Sequence, residues 1–312
     1  MTTEHQHHHH HHEEETRETS KYEQMFQKYN MHLHDELVQE AAKIILSEKV
    51  KENNTEAIKK LIFSCLEITS LKVTDNEESI LKLTEKINRF ADENLDFPHP
   101  AAICIYPRFA SVAGSSLEVD NMAVTCVCGG FPSSQTFPEV KTVETALALK
   151  DGATEVDMVM SVGYFLSGDY EQVSDEIDEI KAICGEETNL KVILETGALQ
   201  TATNIKKAAL MAMYSGADFI KTSTGKVEPG ATPAAVYTMC KAIKEYHEET
   251  GRKTGIKIAG GIRTVDDAIK YYTIVKETLG EEWLTPNWLR FGASSLANSI
   301  LSDIKGEKVT YF

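Results

Sequence analysis

No stretch of the 312 residues approaches the roughly 18 consecutive apolar side chains of a membrane-spanning helix, and no basic segment followed by an apolar run opens the chain. A cytoplasmic protein without a membrane partner is expected. Positive charge is scarce: 32 Lys and Arg against 48 Asp and Glu leave a formal charge of -16. Such a surface repels phosphate backbones, so no nucleic-acid partner is expected and an anionic substrate requires a local basic pocket. Cysteine is sparse and unpatterned. Cys65, Cys104, Cys126, Cys128, Cys184 and Cys240 form neither a C-x-x-C nor a zinc-knuckle spacing, which predicts reduced, buried thiols. The run His7 to His12, with His5 just before it, reads as a purification tag; beyond it only His32, His34, His99 and His247 occur, and none lies in an H-E-x-x-H context. They are assigned to surface or packing, with no metal site. A composition 42% hydrophobic and 26% charged is that of a folded chain, long enough to bury its core without staples.

Linkers rich in Pro, Gly or Ser are also missing, which argues for one catalytic domain. We divide the chain into a tag and disordered leader (1–17), an N-terminal helical extension (18–65) and a barrel (66–312). In the extension, Leu37, Ala41, Ile44 and Ile45 recur at helical spacing, and Ala57, Ile58, Leu61 and Ile62 repeat the pattern after Asn54, a candidate N-cap. Eight apolar, β-branched runs follow: 66–70, 101–106, 122–128, 155–161, 190–196, 218–223, 255–259 and 288–291. Their starts lie about 20 to 37 residues apart, enough for one crossover helix each, as in a (β/α)8 TIM barrel. Thr232 before Pro233, and Thr264 three residues before Asp267, mark helix entries. A doubly wound open sheet is the alternative, weakened because no G-x-G-x-x-G follows the first strand.

Strands of a parallel barrel are covered on both faces, so a lysine in mid-strand is an anomaly that calls for a partner. Strand six carries Lys221 in register with Phe219 and Ser223, and strand seven carries Lys257 between outward Ile256 and Ile258. On neighbouring strands the two lysines converge near the C-terminal mouth, where barrel active sites lie. An ordinary lysine, with a pKa of about 10.4, is neutral only a few times in ten thousand at pH 7. Lowering that value by about 3, at about 4 kcal/mol, would free roughly a quarter of it as nucleophile. Asp157 and Lys191, on strands four and five, can supply a counter-charge and a proton relay. The competing reading is a buried salt-bridge network that only fixes register; it is disfavoured because apolar filling stabilises a core more.

Gly260 and Gly261 directly follow strand seven, with Arg263 two residues on, while strand eight leads into Gly292, Ala293, Ser294 and Ser295 at a helix start. Backbone amides and a guanidinium in these two loops suit a phosphate. Thr224-Gly225-Lys226 imitates the end of a Walker loop. Ile220 stands where the first glycine belongs, and Val227 where Ser or Thr belongs, so no ATPase is indicated, yet Gly225 and Lys226 can reach the same phosphate.

Six segments in order resemble one family, deoxyribose-phosphate aldolase, a metal-independent class I aldolase built on a (β/α)8 barrel. They are Ala101 to Pro107, Glu155 to Asp157, Leu190 to Gly197, Ala217 to Lys226, Lys257 with Ala259 to Thr264, and Phe291 to Leu296. The resemblance implies reversible cleavage of 2-deoxy-D-ribose 5-phosphate to D-glyceraldehyde 3-phosphate and acetaldehyde, in deoxyribonucleoside catabolism, without a cofactor. It implies a Schiff base on Lys221, Lys257 as the second lysine, Asp157 as acid/base residue and Lys191 orienting the relay. Gly225, Lys226, Gly260, Gly261, Arg263, Ser294 and Ser295 then hold the phosphate, and Cys104 is a substrate-side cysteine. Against the family pattern, Glu67 replaces an aspartate on the first strand and Ile258 replaces a proline, which would free a loop amide. The leading helices are longer, expected to cover the lower face of the barrel or an oligomer contact, and Tyr311 is a candidate proton shuttle. A phosphosugar substrate and a homodimer are expected as partners. Two other functions are weighed: a phosphosugar isomerase or synthase acting by enolisation through Asp157 and Lys191, and a non-catalytic phosphosugar-binding barrel.

Overall fold

The computed structural model describes residues 21–312; the tag and the expected leader lie outside the described residues. Eight short strands close in sequence order into one parallel barrel. They are β1 (Leu66–Thr69), β2 (Ala102–Ile105), β3 (Ala123–Cys128), β4 (Glu155–Val159), β5 (Asn189–Ile193), β6 (Phe219–Lys221), β7 (Gly255–Ala259) and β8 (Leu289–Ala293). Each matches one of the eight apolar runs, and closure excludes the open-sheet alternative. Outward residues such as Leu66, Ile68, Ile256 and Ile258 are buried against an outer helical layer, because a strand covered on both faces must place apolar groups toward the helices.

The sixth run contributes only three strand residues. Beyond Lys221 a side chain replaces the ladder: the Thr222 hydroxyl donates to the Ala259 carbonyl at 2.8 Å and accepts from the Ala259 amide at 3.0 Å. The chain can then turn aside at the mouth while staying tied to β7. Helix entries follow the sequence marks. Thr232 caps the helix Pro233–Thr250 by accepting from the Ala235 amide at 3.1 Å, and Thr264 caps Val265–Leu279 by accepting from Asp267 at 3.1 Å. One cap moves. Thr55, not Asn54, caps Glu56–Ser64 by accepting from the Ile58 amide at 3.2 Å, while Asn54 closes the preceding 3-10 turn.

In the N-terminal extension, the helix Asp35–Lys49 packs on the outer helices Pro233–Thr250 and Val265–Leu279, and Glu56–Ser64, which leads into β1, packs on Val265–Leu279 and Leu296–Lys305. Asp35 accepts from the Ala202 amide at 2.7 Å, and Asn53 donates to Thr273 at 2.9 Å. Further upstream Phe26 packs edge-on against Tyr170, and Lys206 donates to the Asn30 carbonyl. All six cysteines are buried and unpaired with one another. His32 and His34 are exposed, His99 contacts the Pro100 carbonyl, and His247 packs on Trp283. No helix among the described residues is long and apolar enough to cross a membrane.

Candidate active site

Period-two alternation turns a charged side chain inward on six of the eight strands, and barrel closure brings them into one buried network. Adjacent ladder positions pair Asp157 with Lys191 and Lys221 with Lys257. Asp157 sits at the centre. Its Oδ2 accepts from Lys221 Nζ at 3.0 Å and from Lys257 Nζ at 2.8 Å, while Oδ1 lies 3.3 Å from Lys191 Nζ. Lys257 also donates to Glu67 Oε1 at 2.7 Å. Deeper in the barrel Lys191 bonds Glu155, and Arg290 bridges Glu67 at 3.1 Å and Glu155 at 2.9 Å. The Phe219 ring forms the floor, with Lys191 Nζ and Arg290 Cζ each within 6 Å of its centroid.

Burial alone would raise the carboxyl pKa values here, but the surrounding cations outweigh it. Lys191, Lys257 and Lys221 hold Asp157 well below the ordinary carboxylate range; Lys191, Lys257 and Arg290 do the same for Glu67. Glu155 is pushed down to about 2 by Lys191 and Arg290. Burial would lower Lys257 and Lys191, yet Asp157 together with the neighbouring carboxylates raises both, so they stay ammonium ions. The two site lysines therefore do not face each other bare, as expected from their convergence: a shared carboxylate oxygen stands between them. The network comprises the four cations Lys191, Lys221, Lys257 and Arg290 and the three carboxylates Glu67, Glu155 and Asp157. One positive charge is in excess, and loss of a single proton balances it.

Above the network opens a cavity of about 290 Å³. Among the network's members only Lys221 lines it, together with Gly225, Lys226, Gly260, Gly261, Arg263, Ser294 and Ser295. The backbone is shaped for this opening. Gly225, Gly260 and Gly261 have φ of +81°, +91° and +78°, the left-handed region that side chains disfavour. At Gly292 a Cβ would lie 3.0 Å from Lys257 Cε, so the missing side chain leaves room for that lysine. Lys226 Nζ donates to the Leu71 carbonyl at 2.7 Å across the cavity mouth. Beneath Lys226, the buried Glu195 carboxylate accepts from the Thr224 amide at 3.1 Å and hydroxyl at 2.7 Å. The Thr224 oxygen is thereby oriented to accept from the Lys226 amide at 3.1 Å. A larger cleft, about 740 Å³, separates helix Asp35–Lys49 from the loops after β5 and β6, but no network residue lines it. The smaller cavity has the reactive groups.

The structure thus brings together Lys221, Asp157, Lys257 and Lys191, and groups the expected phosphate residues around one opening. Lys191 lies behind Asp157, away from the cavity. Cys104 is fully buried, its Sγ 3.8 Å from Lys257 Nζ and packed with Leu71 and Val127; burial pushes its thiol pKa up. Donor atoms of Glu67, Cys104 and Asp157 lie within 4.8 Å of one another, as in a metal site, but the Lys257 ammonium touches all three and already fills the cationic role. Ile258 is inside β7 opposite Phe291, so its amide is not a loop donor. Tyr311 does not line the cavity. It packs on Phe90 and Phe312 outside the barrel, its hydroxyl buried without a hydrogen-bond partner. Sequence reasoning treated Glu67 only as a departure and missed Glu155, Arg290 and Glu195. The signal existed for Glu155, two positions before Asp157 and so on the same face.

Residues 67–301 match the profile of the DeoC/LacD family of aldolases. A deoxyribose-phosphate aldolase of Mus musculus is 44% identical over 202 residues, which cover 64% of this chain and 63% of the relative. A deoxyribose-phosphate aldolase of Agrobacterium fabrum is 35% identical over 246 residues, 79% of this chain and 91% of the relative. Among solved structures, one described as the aldolase QR15 superposes with a TM-score of 0.64 at 28% identity, covering 78% of this chain and 96% of that one.

Proposed function

This chain belongs to the DeoC/LacD family of aldolases, and on that premise we propose that it cleaves 2-deoxy-D-ribose 5-phosphate reversibly through a Schiff base on Lys221. The observation that carries the reading is the position of Lys221: its amine reaches from the charged network into the cavity ringed by phosphate-binding groups. In this reading Lys221, the member that lines the cavity, is the nucleophile, and Lys257 keeps its charge beside it.

The free amine adds to the C1 aldehyde of the open-chain sugar, and loss of water gives a protonated imine. Transfer of the C3 hydroxyl proton to Asp157, directly or through water, breaks the C2–C3 bond. The bonding electrons pass into the imine, leaving an enamine on Lys221 and free D-glyceraldehyde 3-phosphate. Return of a proton to C2 and hydrolysis of the imine release acetaldehyde and restore the amine. Gly225, Lys226, Gly260, Gly261, Arg263, Ser294 and Ser295 hold the phosphate and so fix the distance from the anionic end of the sugar to the reacting carbons. Carbanion stabilisation by the imine needs no metal. Enolisation through Asp157 and Lys191 is less well supported, because Lys191 is sealed beneath Asp157. We also place the protein in the cytoplasm, since its six buried, unpaired thiols suit a reducing compartment.

Acetaldehyde followed by borohydride is expected to add a reduced two-carbon adduct to Lys221, located by peptide mass mapping. Lys221→Arg should lose the adduct and at least about a thousandfold in retro-aldol turnover. An unmodified wild-type chain, or substantial turnover by the variant, would refute the Schiff-base reading.

A further inference from the structure

The turn that follows β1 forms one wall of the cavity, to which it contributes Thr69, Ser70, Leu71 and Lys72. Its backbone is held from two sides. On one, the Asp75 carboxylate accepts from the Ser70 hydroxyl at 2.7 Å, the Lys72 amide at 3.1 Å and the Ser79 hydroxyl at 3.2 Å, which ties the turn to the start of the helix Glu77–Glu93. On the other, the Leu71 carbonyl accepts from Lys226 Nζ at 2.7 Å and from the Tyr106 hydroxyl at 3.2 Å, and the Leu71 side chain packs on Cys104 and Val127. One side chain of this fixed turn is left over. Lys72 is exposed at the cavity, and its ammonium has neither an ion-pair nor a hydrogen-bond partner among the described residues.

Charge at this opening runs against that of the chain. Lys72, Lys221, Lys226 and Arg263 line the cavity and no Asp or Glu does, in a protein of formal charge -16. Cations gathered at one mouth repel one another unless an anion lies among them. Lys221 has the Asp157 carboxylate behind it, whereas Lys72 has none. We propose that Lys72 is a further specificity-determining residue, which closes over the phosphate of the sugar from the β1 turn, a direction that the groups on the loops after β6, β7 and β8 do not supply. An ammonium has three donors, so Lys226 can keep the Leu71 carbonyl while turning another N–H to the anion. That bond holds the backbone beside Lys72 at the mouth, and the flexible four-carbon stem lets the Lys72 ammonium swing over the phosphate once it has entered. The inference rests on the proposed function only for the identity of the sugar; binding of a phosphate anion tests it without turnover.

Calorimetric titration of the full chain with inorganic phosphate is expected to show Lys72→Met weakening binding about fivefold to tenfold, with Lys72→Arg within about twofold of the wild type. With 2-deoxy-D-ribose 5-phosphate, Lys72→Met should raise KM by the same factor while kcat changes by less than about twofold, because the lysine grips the anionic end equally before and during bond cleavage. Lys86→Met removes an exposed lysine of the helix Glu77–Glu93 that does not line the cavity, and should move neither quantity. Unchanged phosphate affinity in Lys72→Met would overturn the proposal, as would a wild type that binds no phosphate. An equal loss in Lys86→Met would overturn it too, by tracing the effect to the charge of the whole surface. Phosphate affinities in the expected order, in a chain that never cleaves the sugar, would support Lys72 as an anion-binding residue and refute the proposed substrate instead.

Discussion

Glu195 illustrates how one side chain can act on a reaction without touching the reacting atoms. It is a buried carboxylate at φ +59°, outside the preferred backbone regions, and it spends both oxygens on Thr224. Through Thr224 it sets the loop from which Gly225 and Lys226 face the cavity. Replacing it with Gln removes the charge from these hydrogen bonds, worth about 1.5 kcal/mol or more. Glu195→Gln is therefore expected to raise KM for the phosphorylated sugar roughly tenfold. Acetaldehyde adduct formation at Lys221, which needs no phosphate, should be unaffected. Steady-state kinetics alongside borohydride trapping would test this, and an unaltered KM would show that Glu195 does not position the phosphate loop.

Elements in this fold are held by polar as well as apolar contacts, and the helix Pro138–Lys150 is the clearest case. Its inward anchor is the Lys141–Glu176 ion pair, both side chains almost fully buried. Lys141→Met leaves Glu176 buried without a cation, which should cost about 3–5 kcal/mol in urea unfolding. Adding Glu176→Leu should recover most of that loss, because an apolar pair avoids desolvation of either charge. A double variant no more stable than the single one would mean that the serines Ser134 and Ser161, not the ion pair, dominate the anchor. The spacing of the strand runs leaves room for a crossover helix here but does not set its orientation. Helical pattern reading assigns the apolar side to the core, and here a tertiary ion cluster overrides that preference.

For the whole molecule, the buried network makes stability depend on acid. Glu155 falls from its ordinary 4.5 to about 2, and Asp157 and Glu67 are displaced in the same direction. A carboxyl whose folded pKa is depressed contributes fully above its unfolded value and loses that contribution as pH falls toward the folded one. The melting temperature is therefore expected to be nearly flat from pH 7 to about 5 and to fall steeply between about 4.5 and 2, with Glu155 alone accounting for roughly 3 kcal/mol. Glu155→Gln should flatten part of that decline while lowering stability at pH 7. A wild-type acid profile identical to that of the variant would show that the network does not couple to folding.

Much of this protein was determined locally. The order of strands and helices, the inward aim of Lys221, Lys257, Asp157 and Lys191, and the loops carrying Gly225, Gly260 and Ser294 follow from alternation and turn chemistry within a few residues. Which charges meet was decided only by closure of the barrel. Arg290 and Glu67 are 223 positions apart, and Arg290 and Glu155 are 135 apart. Coulombic partners are chosen by distance in space, and that distance depends on the register of all eight strands at once. The same closure set Asp157 between two lysines and left one of them, Lys221, lining the cavity.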